Sequence, residues 1–512
     1  MYAQISGASV FGIDATLINV EVNIAPGVNF FLVGLPDTAV KESQQRIKAA
    51  IVNSEFHYPG KEITVNLAPA DIRKEGAMFD LPIALGILLA NGQFESKIDD
   101  QYVVVGELSL EGKIKPVRGV LPVAMRLKEQ GIKGIILPTD NAEEAALVDG
   151  IEIVPVSTLN QAVEFLQGAF SINYFDEKRE RNSTTLPSLV DFSEVKGQQN
   201  IKRAMEIAAA GGHNVLMIGP PGAGKTMLAK RLPSILPRMS KEEALETTKI
   251  HSVLGKMSSD KKVIIQRPFR KPHHTISDVA LVGGGGYPQP GEISLAHNGV
   301  LFLDELPEYK RTVLEVMRQP MEDRVVTISR ARFTVDFPAN FMLIAAMNPC
   351  PCGYHNHPEK ECSCGPGIVQ RYLNKISGPL MDRIDLHVEV TPVSYDDLSG
   401  NAEEESSRSI QSRVERARMI QVERFQSRPM RGPEVHSNSE MGRKEIERFC
   451  QLDSKSKHMI RAAMNRMGFS ARAYDRIIKV SRTIADLDGS KNILPPHIAE
   501  AIQYRSLDKI KN

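Results

Sequence analysis

The sequence predicts a multidomain α/β protein that ends in a helical domain. Its 512 residues exceed the usual size of one domain, and 42% hydrophobic with 24% charged residues is the composition of a folded chain. Strand-like and helical runs alternate over residues 1–170 and again over residues 191–395. From residue 396 onward the apolar spacing is mainly helical. A polar stretch at residues 171–190 predicts an exposed linker between the first two segments.

The first segment carries the alternation expected of an α/β domain. Four short apolar runs are typical of strands and cover residues 63–67, 102–105, 134–137 and 151–155. Four longer runs have the apolar spacing of helices and cover residues 37–53, 81–89, 117–130 and 141–149. Strands that alternate with helices predict a mixed sheet covered by helices.

The second segment predicts a parallel sheet. Three apolar runs are candidates for its buried strands and cover residues 214–218, 300–303 and 341–346. Each run is followed by a polar residue or a turn, at the edge where open parallel sheets place ligand-binding groups. The third segment, residues 396–512, predicts helices over residues 406–425, 443–450, 454–467, 471–487 and 496–504.

Charge and cysteine content exclude several classes of protein. Lys and Arg total 63 and Asp and Glu total 62, so the chain is neither a polycation nor a polyanion. Residues 1–190 hold 16 basic and 24 acidic residues, whereas residues 401–512 hold 22 basic and 15 acidic ones. The excess of basic residues in the C-terminal part is compatible with binding to an anionic partner. Five cysteines in a chain of this length do not make a disulfide scaffold.

Membrane attachment is not expected. The longest apolar run, residues 81–90, has ten residues, whereas a spanning helix needs about 20. The start of the chain lacks the basic flank and apolar core of a secretory signal. We therefore expect a cytoplasmic protein that has no membrane partner.

A glycine-rich stretch matches G-x-x-x-x-G-K-[ST], with a predicted strand before it and a helical run after it. Such glycines let backbone N–H groups surround an anion, and the following helix adds its positive end. Lys225 is placed to reach the β- and γ-phosphates, and Thr226 to bind Mg²⁺. A glycine turn that merely ends a strand is the alternative, which the full motif disfavours. The predicted nucleotide-binding residues are Gly219, Pro220, Pro221, Gly222, Ala223, Gly224, Lys225 and Thr226.

Two further strand ends complete one predicted site. Asp304 and Glu305 follow the run at residues 300–303. Asp304 is expected to hold Mg²⁺, and Glu305 to orient or deprotonate the attacking water. Asn348 follows the next strand, where its amide can contact the γ-phosphate or the water. A surface turn is the alternative in both places, and it is disfavoured by the phosphate motif.

These motifs resemble those of the AAA+ ATPases, and more specifically the YifB/ComM family in their magnesium-chelatase-like branch. The resemblance covers nearly the whole chain and is most specific at residues 270–275, 290–305, 348–353 and 378–385. It implies a homo-oligomeric ring, usually hexameric, with ATP between subunits. It also implies Asn348 as sensor 1, Arg383 as the arginine finger and Arg472 as sensor 2 in a lid helix. Arg371 is a rival finger, and an ion pair with Asp382 or Asp385 is the alternative for Arg383.

The same branch implies two insertions. One covers residues 266–295, with residues 283–286 as a flexible tip. The other is a hairpin of residues 325–329 and 333–337, around Arg330 and Arg332. In related ring motors such hairpins enter the central pore. Contact with a nucleic-acid backbone and a solvated tip are both open interpretations of the two arginines.

Residues 1–170 resemble the Lon-type protease domain. That family has a Ser nucleophile where this chain has Met78, and a Lys where it has Leu121. A thioether cannot attack a carbonyl, and a Leu side chain cannot take a proton. We therefore expect a protease-like fold without proteolysis, which serves oligomerisation or substrate contact.

Four of the five cysteines cluster in the sequence. Four thiolates suit tetrahedral Zn²⁺, but the C-x-C spacing is tighter than in common zinc knuckles. A structural zinc site and reduced, metal-free cysteines therefore both stay open. The clustered residues are Cys350, Cys352, Cys362 and Cys364. His273 and His274 lack ligand spacing to this cluster and are expected to be loop or interface residues.

The sequence predicts an ATPase that uses ATP and Mg²⁺. The resemblance to ComM-like proteins implies DNA as the partner, with helicase-like branch migration in recombination or natural transformation. A metal-chelatase motor subunit and a protein-remodelling ATPase are the alternatives. An arginine-rich helix over residues 406–428 fits a solvated face with ion pairs slightly better than it fits phosphate contact.

Overall fold

The computed structural model describes residues 1–74, 76–98, 101–169, 190–255, 263–286, 288–330, 333–355, 357, 359–392, 404–426 and 435–505. The predicted linker up to residue 189, Arg332 and the boundary at residue 395 lie outside these ranges. Two compact units make up the chain. The first is Met1–Thr185 with Ala244–Ile264, and the second is Leu186–Glu243 with Ile265–Asn512. The domain limits expected from the sequence stay predictions.

The first unit contains nine described strands. They are β1 Tyr2–Phe11, β2 Asp14–Ala25, β3 Phe30–Val33, β4 Glu62–Ala68, β5 Tyr102–Val104, β6 Glu107–Leu108, β7 Ile114–Lys115, β8 Gly134–Pro138 and β9 Glu152–Val156. One mixed sheet has the order β1-β2-β4-β3, in which only β3 and β4 are parallel. A second sheet, β5-β8-β9, is parallel, and β6 pairs with β7.

The long hairpin of β1 and β2 is missing from the sequence prediction. In β2 the side chains of Ile18, Val20, Val22 and Ile24 are buried, while the intervening side chains face outward or are half-buried. This is the period of two expected for a strand with one face on a core. This alternation is visible in the sequence. The strand was missed because polar residues between the apolar ones leave no continuous apolar run.

Helices cover the sheets of the first unit. They span Thr38–Asn53, Asp80–Ala90, Val120–Glu129, Ala142–Ala145 and Leu159–Leu166. Two predicted helices were too long. The one expected from residue 117 begins only after Gly119, whose φ of +75° lies outside the helical region. The one expected over residues 141–149 ends at Ala145.

The second unit is built on a parallel sheet of five strands in the order β11-β14-β17-β10-β18. Its strands and those of two small hairpins are β10 Val215–Ile218, β11 Phe269–Arg270, β12 Gly283–Gly284, β13 Gln289–Pro290, β14 Val300–Leu303, β15 Val325–Arg330, β16 Phe333–Pro338, β17 Met342–Met347 and β18 Leu386–Glu389. All side chains of β10, β14 and β17 are buried. These three strands are the runs predicted from the sequence, and the chain has the expected mixed α/β fold with parallel sheets.

Helices precede, separate and follow these strands in the chain. They span Gln199–Gly211, Lys225–Arg231, Lys241–Val253, Asp278–Val282, Glu292–Leu295, Arg311–Val316, Arg318–Asp323, Pro366–Leu373, Gly378–Met381, Ser407–Gln426, Arg443–Phe449, Ser454–Met467, Ala471–Leu487 and Pro495–Gln503. Residues of Lys241–Val253 from Ala244 onward belong to the first unit. The last five helices include buried residues of the same apolar core as the sheet or residues packed against it. None of the helices in the described part of the chain has the length and apolar character that a membrane span needs.

The predicted hairpin before β17 is confirmed as β15 and β16, which pair in antiparallel register. The Thr327 hydroxyl donates a hydrogen bond to Asp336 across the two strands at 2.6 Å. The small hairpin β12–β13 lies against it, because a Cβ on Gly283 would come within 2.9 Å of Ile328. The two predicted insertions are therefore in contact with each other.

Candidate active site

The carboxyl ends of three neighbouring strands bring the predicted nucleotide site together. Ile218 at the end of β10 is in register with Met347 at the end of β17, and Leu303 at the end of β14 is in register with Ala345. The residues that follow these ends are therefore neighbours in space. The Gly219 N–H donates to the Met347 carbonyl at 3.2 Å and so joins the start of the phosphate motif to β17.

The phosphate loop, residues 219–226, has the backbone that the motif requires. Gly222 and Gly224 have φ values of +79° and +85°, in the left-handed region that favours glycine. Lys225 begins the following helix and donates to the carbonyls of Gly219 and Pro220 at 2.6 and 2.8 Å. Its ammonium also lies 3.1 Å from the Asn348 amide oxygen. Burial lowers the pKa of Lys225, and the charges of Asp304 and Glu305 act in the opposite direction.

Asp304 receives two donors on one carboxylate oxygen. The Thr226 hydroxyl donates to its Oδ2 at 2.8 Å, and the Lys271 ammonium lies 2.9 Å from the same atom. Burial acts to raise the pKa of Asp304, but the hydrogen bonds from Lys271 and Thr226 outweigh it and hold the pKa below its ordinary value. Thr226 and Asp304 thus present a hydroxyl and an ionised carboxylate side by side. That is a donor set of hard oxygens, which suits Mg²⁺.

Glu305 stands in a backbone conformation that is uncommon for its residue type. Its φ of 54° and ψ of 49° are left-handed, and a non-glycine residue in this region is strained by about 1–3 kcal/mol. The His274 ring lies 3.5 Å from its carboxylate, measured from Nδ1 to Oε2. The Glu305 side chain is otherwise more than half exposed. Such strain is typical of functional positions, where surrounding contacts fix a side chain for its task.

Lys271 and His274 are site residues that the sequence interpretation missed. Both belong to residues 270–275, which the resemblance singled out without a role. They reach the site because β11 pairs in parallel with β14, so that Phe269 lies opposite Val300. The Tyr309 hydroxyl donates to the Pro272 carbonyl at 2.7 Å and holds this loop in place. The prediction of His274 as a loop residue was therefore incomplete, since its ring contacts Glu305.

The three candidate arginines contact groups of their own chain, and two of them contact acidic side chains. Arg383 is 7% exposed and pairs with Glu322 at 2.7 Å, not with Asp382 or Asp385 as the alternative proposed. Arg472 is exposed and lies 3.7 Å from Asp382. Arg371 is exposed and donates to the Gly367 carbonyl at 3.1 Å. Their roles toward a nucleotide stay predictions.

A buried cluster of polar and charged side chains connects the C-terminal helices to the sheet. Asp385 lies 3.0 Å from Arg476 and 3.7 Å from the His213 ring, and it accepts from the Asn214 N–H at 2.9 Å. Burial acts to raise the pKa of Asp385, but the charge of Arg476 and the contact with His213 lower it well below its usual range. The Asn214 amide oxygen accepts from the Leu343 N–H at 2.8 Å, so the group extends to β17. The strand that leads to Asn348 is thus tied to the helix Ala471–Leu487.

Two arginines of the basic helix Ser407–Gln426 are used inside the molecule. Arg413 pairs with Glu206 and Glu405, and Arg424 pairs with Asp486. These pairs favour the interpretation of the helix as an ion-paired face over the one in which it contacts phosphates.

The four clustered cysteines converge in space. Their sulfur atoms all lie within 4.8 Å of one another, and all four thiols are free. A hydrogen bond from the Tyr354 backbone, together with contacts to the other three thiols, lowers the pKa of the Cys352 thiol. The fifth cysteine, Cys450, is buried in the apolar core of the second unit. The clustered set is Cys350, Cys352, Cys362 and Cys364.

In the first unit, Met78 and Leu121 are both buried in apolar cores, with 7% and 0% exposure. Neither side chain can serve as a nucleophile or a base. The absence of proteolysis nevertheless stays a prediction.

Three family models match successive parts of the chain. The model described as subunit ChlI of Mg-chelatase matches residues 20–141. The model for magnesium chelatase, subunit ChlI, matches residues 191–398, and the model for its C-terminal part matches residues 404–505. The second match includes the phosphate loop, Asp304, Glu305 and Asn348.

Curated relatives align over almost the whole chain. Competence protein ComM of Haemophilus influenzae is 44% identical over 503 residues, which cover 98% of this chain and 96% of the relative. Protein YifB of Escherichia coli is 42% identical over 504 residues, with the same coverage of both chains. Lon protease 2 of Bacillus subtilis is 29% identical over 178 residues, which cover 31% of this chain and 32% of that protein. The chain belongs to the YifB/ComM family of magnesium-chelatase-like AAA+ ATPases.

Proposed function

We propose that this chain forms a homo-oligomeric ring, of six subunits as is usual in its class, that hydrolyses ATP with Mg²⁺ and moves DNA through its pore. The observation that carries the ATPase part is the joining of Thr226, Asp304, Lys225 and Asn348 at the ends of adjacent strands. The resulting activity is a helicase-like branch migration in recombination or natural transformation.

Several residues of this chain have separate roles in the proposed ATP hydrolysis. Lys225 turns from the loop carbonyls to the β- and γ-phosphates, which replace the oxygens that it contacts now. Glu305 orients the attacking water and accepts its proton. Asn348 contacts the γ-phosphate or the water as sensor 1. Bound Mg²⁺ neutralises charge on the phosphates, and Thr226 and Asp304 are its proposed ligands.

The neighbouring subunit completes the site in this proposal. A fixed guanidinium stabilises charge on the transferring phosphate, and Arg383 is the proposed finger. Arg371 remains the rival, and its exposed side chain supports keeping it as a candidate. Arg472 acts as sensor 2 from the helix Ala471–Leu487, which belongs to the proposed C-terminal lid over residues 396–512.

DNA is the proposed polymer for two reasons. The relative from Haemophilus influenzae is named a competence protein, and competence is the ability to take up DNA. The hairpin β15–β16 also presents Arg330 as an exposed residue at the end of β15, beside Gly284 of the insertion at residues 266–295. A guanidinium at a hairpin end suits contact with a phosphate backbone.

The first unit is proposed as a protease-like fold that serves oligomerisation or substrate contact. The partial identity to Lon protease 2 supports the fold, and the buried Met78 and Leu121 support the loss of proteolysis. A metal-chelatase motor subunit is the second candidate function, because all three matching family models carry the name of magnesium chelatase.

An ATPase assay on the purified protein tests the first part of the proposal. Lys225→Ala should lose nucleotide binding and turnover, because the phosphates lose their buried cation. Glu305→Gln should keep nucleotide binding and lose turnover by about 10²–10⁴-fold. Glu308→Gln, a nearby exposed carboxylate paired with Lys375, is the control and should retain turnover. Normal turnover in Glu305→Gln would overturn the role of Glu305.

A four-way DNA junction and a forked duplex test the second part. Both should be separated by the wild-type protein with ATP and left intact by Glu305→Gln. Arg330→Ala should reduce the stimulation of ATP hydrolysis by DNA and lower the slope of log affinity against log salt by about 1. Arg443→Ala, which removes an exposed arginine of the helix Arg443–Phe449, should leave the slope unchanged. ATP hydrolysis that DNA does not stimulate, without strand movement, excludes the DNA motor and favours the chelatase alternative.

A further inference from the structure

The four clustered thiols are spaced for one metal ion. The sulfur of Cys350 lies 3.3 Å from that of Cys352 and 3.7 Å from that of Cys362, and the last two are 3.5 Å apart. A disulfide bond needs about 2.05 Å, so none of these pairs is bonded. Four sulfurs at about 2.3 Å from a central Zn²⁺ stand about 3.8 Å apart. The observed separations are close to that value, whereas an iron–sulfur cluster needs a wider set of ligands.

The loop that carries these thiols has little else to hold it. Of the described residues between positions 350 and 364, only Cys350 and Gly353 are buried, and none lies in a helix or strand. Two short turns lie within it: the Gly353 N–H donates to the Cys350 carbonyl at 3.0 Å, and the His357 N–H donates to the Tyr354 carbonyl at 3.1 Å. A long loop without a core of its own pays a high conformational entropy for its order. Bonds between the thiolates and a metal ion are strong enough to offset that entropy cost.

Among the described residues, the group of potential ligand atoms within 4.8 Å of one another holds the four cysteine sulfurs and no histidine nitrogen. The Nδ1 atom of His357 accepts from the N–H groups of Glu359 and Lys360, both at 3.1 Å. His357 therefore closes a further turn in the loop. The four sulfurs alone supply the tetrahedral set, which leaves no open position and is typical of structural zinc.

The cysteine loop lies against the phosphate loop. Gly353 has a φ of +85°, and a Cβ placed on it would come within 2.5 Å of Pro221 Cδ. Asn348, two residues before Cys350, contacts Lys225 at 3.1 Å. An ion in the cluster would therefore fix the position of a loop that touches the phosphate loop at Pro221 and begins beside sensor 1.

We propose that Cys350, Cys352, Cys362 and Cys364 bind one structural Zn²⁺ ion, which holds the cysteine loop against the phosphate loop at Pro221. The ion takes no part in hydrolysis. It stabilises the conformation of the phosphate loop that receives ATP. The metal site stands on the sulfur geometry alone, and only its effect on nucleotide binding rests on the function proposed above.

Metal analysis of the full-length purified protein tests the site without any use of activity. We expect about one zinc per chain, as in other tetrathiolate sites. Cys352→Ser should lose this zinc, whereas Cys450→Ala, which removes the buried fifth cysteine, should keep it. Protein without zinc that also fails to take up Co²⁺ with tetrahedral thiolate absorption overturns the proposal. Stoichiometric iron in place of zinc overturns it too.

Thiol counting covers the case in which Cys352→Ser does not fold. In the wild-type protein, a thiol reagent should modify the four cluster cysteines slowly before chelation and rapidly after it, with release of zinc to a colorimetric chelator. Equal rates before and after chelation contradict the site. This measurement uses neither a variant nor ATP, so its result is separate from the fate of the motor proposal.

Gly353→Ala tests the link to the phosphate loop. The added Cβ would collide with Pro221 and is strained at a positive φ. We expect zinc to stay at about one per chain while the Kd for a fluorescent ATP analogue rises by about tenfold, which is 1.4 kcal/mol. Unchanged Kd in this variant and in the zinc-free protein would overturn the link and leave the metal site standing. If no analogue binds the wild-type protein, the proposed function fails while the zinc result stands.

Discussion

Arg383 Nη2 lies 2.7 Å from Glu322 Oε1, and this ion pair joins two parts of the second unit that are distant in sequence. Arg383 follows the helix Gly378–Met381, whereas Glu322 lies in the helix Arg318–Asp323, directly before the hairpin β15–β16. The Arg383 side chain also donates to the Pro379 carbonyl at 2.7 Å. The proposed finger is therefore held by its own chain beside the base of a proposed pore element.

Mixed assembly distinguishes a finger from an internal ion pair. Arg383→Ala and Lys225→Ala should each be inactive alone. When the two are mixed and reassembled, some interfaces pair an intact phosphate loop with an intact finger, and ATP turnover should return. The expected loss in Arg383→Ala alone is about 10³-fold or more, because the guanidinium stabilises transition-state charge.

The same mixture with Arg371→Ala is the control for the choice between the two arginines. Recovery with Arg371→Ala and not with Arg383→Ala would transfer the finger role to Arg371. Glu322→Gln, which removes the partner and keeps Arg383, should retain turnover at interfaces while uncoupling it from stimulation by DNA. An inactive but folded Glu322→Gln would instead indicate that the ion pair itself positions the finger.

We expect Lys271 to compete with Mg²⁺ for Asp304, because its ammonium lies 2.9 Å from the oxygen that also accepts from Thr226. We expect Lys271→Gln to lower the Mg²⁺ concentration for half-maximal nucleotide binding by about fivefold, since a half-exposed ion pair contributes about 1 kcal/mol at most. Titration of Mg²⁺ at fixed nucleotide measures the shift. Lys375→Gln, which removes a comparably exposed pair with Glu308, should cause none. A higher Mg²⁺ requirement in Lys271→Gln would show that Lys271 helps the ion and does not oppose it.

We expect His274 to position Glu305, because its ring lies 3.5 Å from the Glu305 carboxylate. His274→Ala should lower kcat by about tenfold, a part of the roughly 10²–10⁴-fold effect of a positioned general base, and leave the Kd for nucleotide unchanged. His273→Ala is the matched control, because the His273 ring packs against His274 at a tilt and contacts Thr275 instead of Glu305. Partial recovery of kcat in His274→Asn would support a positioning role. Equal losses in both alanine variants would indicate a general disturbance of the loop.

Local sequence patterns predicted individual helices and strands. The order of the strands in the sheet, which these patterns do not contain, determines which distant residues meet. The helix Ser454–Met467 was predicted to the residue because Asp453 caps its start and Gly468 its end. The strand Val300–Leu303 was exact because a short apolar run ends in two carboxylates. Lys271 and His274 were missed because their position in the site depends on β11 lying beside β14. No local sequence pattern predicts that pairing. The pairing of Arg383 with Glu322 depends in the same way on packing between distant elements.

The cysteine loop, residues 350–364, also has features that the sequence predicts and features that depend on the fold. Spacing alone left zinc and free thiols open, because C-x-C pairs occur in both settings. The fold resolves whether the pairs meet: their sulfurs lie within 4.8 Å of one another. It also brings Gly353 against Pro221, a contact between segments more than a hundred residues apart.

His213 should make the second unit less stable in mild acid. It is fully buried, and its Nε2 contacts the Thr483 hydroxyl at 2.8 Å. Burial lowers the pKa of His213, Asp385 acts to raise it, and Lys479 and Arg476 lower it further. The folded protein therefore holds the ring neutral, while the unfolded chain binds a proton below about pH 6.5. Since the unfolded state then carries more protons, stability is present above that pH and falls as the pH decreases, by at most about 1.4 kcal/mol per pH unit.

Denaturant unfolding of the wild-type protein and of His213→Gln between pH 7.5 and 5 tests this expectation. The wild-type free energy of unfolding should fall more steeply with decreasing pH, because the variant lacks the titrating ring and can keep a hydrogen bond to Thr483. Asp80, whose pKa burial raises to about 6, titrates in both proteins and cancels in the difference. The lowered pKa of Asp385 confines its loss of stability to below about pH 4, outside this window. Parallel curves for the two proteins would mean that the buried ring takes up its proton in the folded state as readily as in the unfolded chain.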